Sequence, residues 1–444
     1  MFSRDLLRVT VIFLLAAFAF ASYGNEAKLR YLESRLADAF ERKKFIITVS
    51  AEPDEGADFG PHTPNTTTSG IQEALDYAAT FLTDINLNPT SRKSLESNAP
   101  VVFLGPGQFK INSTIYLPEW GGFTLRGSGP HSTILEDVSK DGITILKQKI
   151  PKNVSYYWGQ LNEILTDFAV VGNIYGTSVA GIDLSMPENI PHNVVSRIAF
   201  YRNFSDFHLC MDGNEDSLLD TIFVDGYSDH GKKHAVIGFS TGGGATFIRG
   251  LYFSNPIGGA RIHARSINLY ITDGVIGAIS NTPITKGQFE FDPPASVILI
   301  KNCWFNIDES MGDYVFDLNY PTNYSIIELD GVDFYNSPAG HHYFYVGKNV
   351  NIERLQLQNV VVGYGKGKML ENKGKIGTVK VGYVFADAKL EAPFLTWTPS
   401  ILENYYVAVP GLYPVTVVPP PPPSPPVAPP SPPPAGPAAP QPWM

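Results

Sequence analysis

Three ionisable residues, His263, Glu290 and Asp317, each lie in the middle of a short run whose outer residues are apolar. Because side chains alternate along a β-strand, a strand that turns its apolar residues inward turns the middle residue outward. On three neighbouring strands, an imidazole and two carboxylates would lie roughly 5 Å apart. That closeness raises the pKa of one carboxyl, which suits it to donate a proton while a neighbour acts as base or nucleophile. The sequence therefore predicts a catalytic site at these three residues.

Four further residues indicate the kind of substrate. Arg261 and Arg265 could hold the carboxylate of an acidic sugar through paired N–H donors. Tyr345 could stack on a sugar ring, and Asp292 adds a carboxylate in the same region. The alternative is that polar side chains simply cover a solvated sheet, with alternating charges that stabilise its stacking.

A repeat in the chain would place these residues on neighbouring strands. Its frame is an apolar residue, a two-residue polar turn and a second apolar residue. Eight copies begin at Leu165, Val195, Leu219, Ile248, Thr272, Ile300, Leu329 and Leu357. The second turn residue is often Gly or Asn, as at Gly274 and Asn302, and these types tolerate a left-handed backbone. Such short repeating units bury their apolar faces by stacking on one another. The sequence therefore predicts an all-β, single-stranded, right-handed parallel β-helix.

After each copy of the frame come a loop and another short strand. The middle residues of these strands form a predicted outward column of Asp183, Cys210, Gly238, His263, Glu290, Asp317 and Tyr345. Cys303 lies several coils from Cys210 in this register. Both cysteines are therefore expected to be packed and not joined in a disulfide.

The N-terminal part of this region resembles a known superfamily. The segments Gly70-Ile-Gln-Glu-Ala-Leu-Asp-Tyr77, Val101 to Ile111 and Phe123 to Gly129 resemble the capping helix and first coils of the pectin/pectate-lyase-like superfamily. The resemblance covers residues 46 to about 390 and implies a capped, right-handed parallel β-helix. It implies no particular activity, because the superfamily includes lyases, hydrolases, epimerases and inactive structural proteins. The signature motifs of its polygalacturonases and extracellular pectate lyases are missing from the sequence. Ser69 is the candidate N-cap of the capping helix.

The two ends of the chain differ from the repeat region. Residues 1–21 resemble a secretory signal peptide, and residues 22–45 space Leu29, Leu32, Leu36 and Phe40 on one side of a predicted amphipathic helix. Residues 46–415 form the predicted β-helix domain, and residues 416–444 form an uncharged, proline-rich tail expected to be extended and disordered. Five sequons are candidate glycosylation sites, at Asn65, Asn112, Asn153, Asn203 and Asn323. These features predict a secreted, extracellular or cell-surface protein without a transmembrane segment after signal cleavage.

A short acidic run is a candidate calcium site. Asp212-Gly-Asn-Glu-Asp216 has the alternating oxygen ligands of a calcium loop. It does not fit the EF-hand, because Ser217 occupies the position that requires Gly and Phe223 the position that requires a bidentate Glu. A looser calcium site at Asp212 and Asp216 and a plain acidic turn both stay open.

Charge and composition narrow the function classes. The 444 residues carry a formal charge of -10 and two cysteines, which excludes a nucleic-acid binder that relies on basic charge and a disulfide-stapled miniprotein. The favoured hypothesis is a secreted protein that binds an acidic polysaccharide and cleaves it as a lyase or glycoside hydrolase. The alternative is a non-catalytic rod of a cell surface, wall, filament or virion. In that alternative, the proline-rich tail and N-terminal helix contact other subunits or wall partners.

Overall fold

The computed structural model describes the chain between residues 46 and 408 with gaps. The described residues are 46–53, 55–80, 100–118, 123–150, 163–186, 193–202, 204–214, 217–225, 237–254, 262–277, 289–291, 296–306, 314–319, 322–335, 342–363, 368–381, 384–386, 402–403 and 407–408. The predicted signal peptide (1–21), amphipathic helix (22–45) and proline-rich tail (416–444) lie outside them. Within them the chain is a right-handed parallel β-helix, so the predicted fold is confirmed.

One helix and a series of short strands make up the described chain. The helix α1 spans Ile71–Ala79. The strands in chain order are β1 (Ile46–Val49), β2 (Val101–Leu104), β3 (Gly107–Ile111), β4 (Ile115–Leu117), β5 (Thr124–Arg126), β6 (Thr133–Asp137), β7 (Thr144–Gln148), β8 (Ile164–Val171), β9 (Ala180–Asp183), β10 (Val194–Tyr201), β11 (Phe207–Met211), β12 (Ser217–Asp225), β13 (Ile237–Ser254), β14 (Ile262–Thr272), β15 (Val275–Gly277), β16 (Phe289–Phe291), β17 (Val297–Lys301), β18 (Trp304–Asn306), β19 (Tyr314–Leu318), β20 (Asn323–Asp330), β21 (Asp333–Tyr335), β22 (His342–Val346), β23 (Asn351–Gln358), β24 (Val360–Gly363), β25 (Lys368–Asn372), β26 (Lys375–Val381), β27 (Val384–Ala386), β28 (Leu402–Glu403) and β29 (Val407–Ala408).

The strand pairing forms three parallel sheets that run the length of the helix. Sheet 1 contains β1, β2, β5, β17, β20, β23, β26 and β28, with parts of β8, β10, β12, β13 and β14. Sheet 2 contains β3, β6, β15, β18, β21, β24, β27 and β29, with parts of β8, β10, β12 and β13. Sheet 3 contains β4, β7, β9, β11, β16, β19, β22 and β25, with the first parts of β13 and β14. Each coil passes from sheet 1 through the two-residue turn to sheet 2 and then to sheet 3.

The turn between sheets 1 and 2 has the predicted left-handed residue. The positive φ values along this turn belong to Asp167, Arg197, Thr221, Gly250, Asp273, Asn302, Gly331 and Asn359. The prediction of Gly274 for this position was wrong by one residue. Ile271 pairs with both Ile248 and Ile300, so this copy of the frame begins at Ile271 and the left-handed residue is Asp273.

Helix α1 covers the N-terminal end of the β-helix. Its apolar side buries Ile71, Ala74 and Leu75, as amphipathic spacing requires. The N-cap is Gly70, with φ of 83°, and not Ser69 as predicted. The Ser69 hydroxyl instead donates to the Lys110 carbonyl at 3.0 Å, which ties the helix entry to β3.

Aliphatic and aromatic columns fill the interior. Phe305 stacks on Phe334 at 5.3 Å between ring centroids, and Phe316 stacks on Phe344 at 4.7 Å, one coil apart in each case. Cys303 and Cys210 are both buried and not disulfide-bonded, as predicted. Among the described residues, no helix has the length and hydropathy needed to span a membrane.

His208 is a polar exception in this interior. It is buried on β11, with the rings of Phe200 and Phe204 packed edge-on at 5.9 and 5.4 Å. Burial lowers the pKa of the imidazole to about 4, so His208 is neutral at physiological pH.

Candidate functional site

Sheet 3 places the three predicted catalytic residues on consecutive coils. In the backbone register, His263 on β14 pairs with Glu290 on β16, which pairs with Asp317 on β19. The series continues with Tyr345 on β22 and Glu371 on β25. At about 4.8 Å per strand, these five positions extend over about 19 Å along the helix axis. From here on, the outward column means these five residues and not the seven predicted ones. The catalytic role of His263, Glu290 and Asp317 stays a prediction.

The burial pattern shows which way the described part of this column faces. Asp317 is half-buried between the buried residues Phe316 and Leu318. Tyr345 is also half-buried and is followed by the buried Val346. Alternation along the strand therefore turns both polar side chains away from the interior.

The remaining predicted site residues are described incompletely. Arg265 lies on β14, two residues beyond His263, and its backbone pairs with Gly242. The structure describes only the backbone of His263, Glu290 and Arg265. Arg261 and Asp292 lie outside the described residues, so their predicted role in substrate binding stays a prediction.

The C-terminal end of the column carries a charge cluster that the sequence frame missed. Lys373 follows Glu371 by two residues, and its ammonium lies 2.9 Å from the Glu371 carboxylate. The same ammonium lies 5.2 Å from the centre of the Tyr345 ring. The hydrogen bond to Glu371 raises the pKa of Lys373, so this lysine stays charged. The frame required an apolar residue on each side, and Asn372 breaks that rule after Glu371.

The N-terminal end of the column differs from the prediction. Asp183 and Cys210 are buried, and Ser240 instead of Gly238 stands between Cys210 and His263. Phe239 pairs with Leu209, the residue before Cys210, so the observed register differs from the predicted one by two residues. Asp183 is held in this covered position by the Lys147 ammonium at 3.3 Å.

A buried carboxyl lies at the edge of sheet 3 on the N-terminal coils. Glu163 is fully buried, and burial raises its pKa to about 8, partly offset by contact with Gln148. The Gln148 amide nitrogen donates to the Pro118 carbonyl at 2.9 Å, which fixes the orientation of that amide. Its oxygen and both Glu163 oxygens find no hydrogen-bond donor among the described residues. A proton on Glu163 would let the acid donate to the Gln148 oxygen, which would give that oxygen a hydrogen-bond donor.

The backbone of Glu163 takes part in a chain of buried polar groups. The Glu163 backbone N–H donates to the Asn193 side-chain oxygen at 3.2 Å, and the Asn193 amide donates to Asn214 at 2.6 Å. Asn214 in turn donates to the Leu184 carbonyl at 2.8 Å. The chain links successive coils at the corner between sheets 3 and 1. Glu163 and Asn193 occupy equivalent positions on adjacent coils, but Asn214 does not, so the repeat frame alone does not predict the chain.

Charges of alternating sign are found at the turn between sheets 1 and 2, away from the outward column. Asp167 accepts hydrogen bonds from Arg197 and forms an ion pair with Arg126, 3.3 Å away. One coil beyond Arg197, Asp220 pairs with Arg249. The hydrogen bonds from the arginines lower the pKa of both aspartates, which therefore stay ionised. We call these residues the turn ladder.

The described residues include only half of the candidate calcium site. Asp212 is half-buried, its carbonyl oxygen accepts the Met186 N–H at 2.8 Å, and Asp216 lies outside the described residues. In the described part of the chain, no three His, Cys, Asp or Glu side chains form a cluster suited to a metal ion. Calcium binding stays a prediction.

Three sequons lie on the described surface. Asn65, Asn112 and Asn323 are exposed. Asn153 and Asn203 lie outside the described residues. Glycosylation at all five sites stays a prediction.

Comparison with known proteins gives no family assignment. No family model and no curated protein matches this chain. Among solved structures, the catalytic domain of a GH87 alpha-1,3-glucanase in complex with nigerose is similar, with 13% identity and a TM-score of 0.40, over 71% of this chain and 57% of that chain. The Agl-KA catalytic domain is similar with 11% identity and a TM-score of 0.25, over 73% and 69%. The chain thus spans little more than half of that glucanase catalytic domain, and the fold assignment rests on the strand pairing described above.

Proposed function

We propose that this protein is secreted, binds an acidic polysaccharide along the outward column of sheet 3, and cleaves it as a lyase or glycoside hydrolase. The supporting observation is the backbone register that aligns His263, Glu290 and Asp317 on adjacent strands. Without that register, residues far apart in the chain would have no reason to act on one bond.

The spacing suits acid–base chemistry. Two carboxylates on adjacent in-register positions lie roughly 5 Å apart, and the second ionises less readily than the first. A separation of about 5–5.5 Å is also that of the carboxyl pair in retaining glycosidases. One carboxyl would protonate the leaving glycosidic oxygen. The other would attack the anomeric carbon in a hydrolase, or would act with His263 to remove the proton beside the uronate carboxyl in a lyase.

An acidic substrate is favoured by two basic residues near the column. Arg265 lies two residues beyond His263 on β14, and Lys373 follows β25 two residues beyond Glu371. Guanidinium and ammonium groups at these positions could hold sugar carboxylates. The overall charge of -10 makes such local positive positions necessary for binding a polyanion.

A panel of uronate polymers, with and without calcium, tests this proposal. Unsaturated products would identify a lyase, and new reducing ends alone would identify a hydrolase. We expect Glu290→Gln and Asp317→Asn each to reduce turnover at least a hundredfold. Glu353→Gln changes an exposed carboxylate on sheet 1 and is the matched control. Unchanged turnover in both column variants would refute the site.

A second candidate function is a rigid, non-catalytic rod. The turn ladder favours it, because ion pairs between successive coils stabilise stacking without contributing to a substrate site. If no polymer is bound or cleaved, electron microscopy of the purified protein would be expected to show filaments or regular arrays.

A further inference from the structure

The outer face of sheet 2 exposes three large aromatic side chains. Tyr252 is 40% exposed, Trp304 37% and Tyr335 36%. They lie on β13, β18 and β21, near the middle of the β-helix. Aromatic residues exposed together on one face indicate a binding surface more than isolated ones do.

Two of these aromatic residues form the walls of a trough. Tyr252 pairs in register with Val275, and Val275 pairs with Trp304. The half-buried valine between two larger rings leaves a depression two strands wide, or about 9.6 Å from ring to ring along the helix axis. Tyr335 extends the Trp304 wall, with 5.8 Å between the ring centroids. We call these four residues the aromatic groove.

The stacking on the N-terminal side argues against a sugar as the occupant. Phe223 lies parallel to Tyr252 at 4.9 Å, with 4° between the ring planes, so it covers one face of that tyrosine. The faces of the Phe223 and Tyr252 rings consequently point along the helix axis, and a sugar lying on the sheet would meet the edge of the Tyr252 ring. A ligand that inserts rings between the aromatic walls fits this orientation better.

The proline-rich tail has the matching repeat. Residues 419–442 contain Pro, Ser, Ala, Val, Gly and Gln and no charged residue, a composition typical of polyproline II. That helix has three residues per turn and a rise of about 3.1 Å per residue, so one edge repeats every ~9.3 Å. This repeat is close to the ~9.6 Å width of the groove. Aromatic-lined grooves bind such segments, and Tyr hydroxyl and Trp indole donors suit the unbonded carbonyls of polyproline II.

The tail also begins within reach of the groove. The last described strand, β29, belongs to sheet 2 and lies four pairing steps from β18 through β27, β24 and β21. Those steps amount to about 19 Å. Residues 409–418 could extend over about 33 Å, which is enough to bring Pro419 level with Trp304.

We propose that residues 419–442 of this chain fold back and dock in the aromatic groove, with a proline ring inserted over Val275 between Tyr252 and Trp304. The interaction is intramolecular, since the short connection gives the tail a high effective concentration at the groove. This proposal does not depend on the polysaccharide function.

Hydroxyl-radical footprinting of the full chain tests the proposal. The comparison is with a full-length variant in which the prolines of 419–442 are replaced by serine. We expect Tyr252 and Trp304 to oxidise at least threefold more slowly in the native chain than in the variant. Tyr116, 48% exposed on sheet 3, is the internal control and should react equally in both. Equal rates at the groove residues would overturn the proposal.

A second measurement separates a groove contact from a change in folding. A synthetic 419–442 peptide is titrated into the serine-substituted chain, and binding is measured by calorimetry. We expect saturable binding that Trp304→Ala weakens at least tenfold and Tyr116→Ala leaves unchanged. Absence of binding, or equal binding to both variants, contradicts the groove. Protection that appears only at high protein concentration contradicts the intramolecular arrangement and assigns the groove to the tail of a second copy.

Discussion

Arg249 donates two hydrogen bonds to Asp220, from Nε to Oδ1 and from Nη2 to Oδ2, each 2.8 Å long. The two residues occupy equivalent positions on adjacent coils, so this bidentate pair joins one turn of the helix to the next. Paired geometry of this kind is the strongest form of an arginine–carboxylate contact. It marks the turn between sheets 1 and 2 as the place where charge supports the fold.

Replacing Asp167 by Asn tests this role one step along the turn ladder. Asn tolerates the left-handed backbone at this position, where φ is 66°, so the change mainly removes charge. The Arg197 side chain is half-exposed whereas Asp167 is mostly covered, so solvent screens the pair from one side and we expect a loss of about 1 kcal/mol in the free energy of unfolding at pH 7. Arg197 lowers the pKa of Asp167, so the stability that the ion pair contributes is present above the ordinary pKa of 3.8 and is lost as pH falls below it.

Thermal unfolding at pH 7 and pH 3 checks this expectation. The difference between native protein and Asp167→Asn should shrink at pH 3. Asp141→Asn, at an exposed turn, is the control and should change neither value. A difference that persists unchanged in acid would show that charge is not the cause.

Glu163 predicts a loss of stability as pH rises. Its pKa is about 8 in the folded protein against an ordinary value of 4.5, so between these pH values the folded state holds a proton that the unfolded state releases. Stability should therefore fall with pH in this window, by about 1.4 kcal/mol per pH unit at most. In Glu163→Gln the slope should disappear, because an amide donates to Gln148 without titrating. Chemical denaturation at a series of pH values would measure it, and an unchanged slope would refute protonation of Glu163.

His208 predicts the opposite slope in a lower pH range. Its pKa is about 4 in the folded protein against an ordinary value of 6.5, so protonation favours the unfolded chain and stability should rise with pH between these values. His208→Phe keeps an aromatic ring beside Phe200 and Phe204 and removes this slope. In the native protein the two slopes oppose each other between pH 4.5 and 6.5. We therefore expect the His208→Phe variant to lose stability across that interval while the native protein changes little.

Lys373 predicts how the C-terminal end of the column affects substrate binding. Under the proposed function, Lys373→Met should raise KM for an acidic polymer about tenfold and leave kcat nearly unchanged, because a lost ion pair to a distant sugar weakens binding only. Lys348→Met, at an exposed position after β22, is the matched control. Steady-state kinetics on the polymer identified by the panel provides the measurement. An equal fall in kcat would instead place Lys373 among the reacting groups.

The adjacency of the site residues could be predicted because coil length is nearly constant on that side of the helix. His263, Glu290 and Asp317 fall in register since the chain between them completes one coil each time. The prediction failed at Gly238. Strand β13 runs from sheet 3 into sheet 1 without a break, and Ser240 takes the position predicted for Gly238. A local frame contains no information about such a continuous strand.

Other features had no sequence signal at all. Burial of Glu163 depends on the fold around a single residue, and charged residues are seldom buried without a partner. The Lys373 cluster was missed because the frame requires an apolar residue after the outward residue, and Asn372 is polar. Periodicity therefore predicts the scaffold, whereas single polar contacts require three-dimensional coordinates.

The turn ladder also has a mechanical consequence. Its contacts join each coil to its immediate neighbours, as in other solenoids whose cohesion is a sum of nearest-neighbour terms. A force applied to the C-terminal end would then be opposed by one interface between coils at a time. The protein should therefore unfold one coil after another and lengthen in steps under tension.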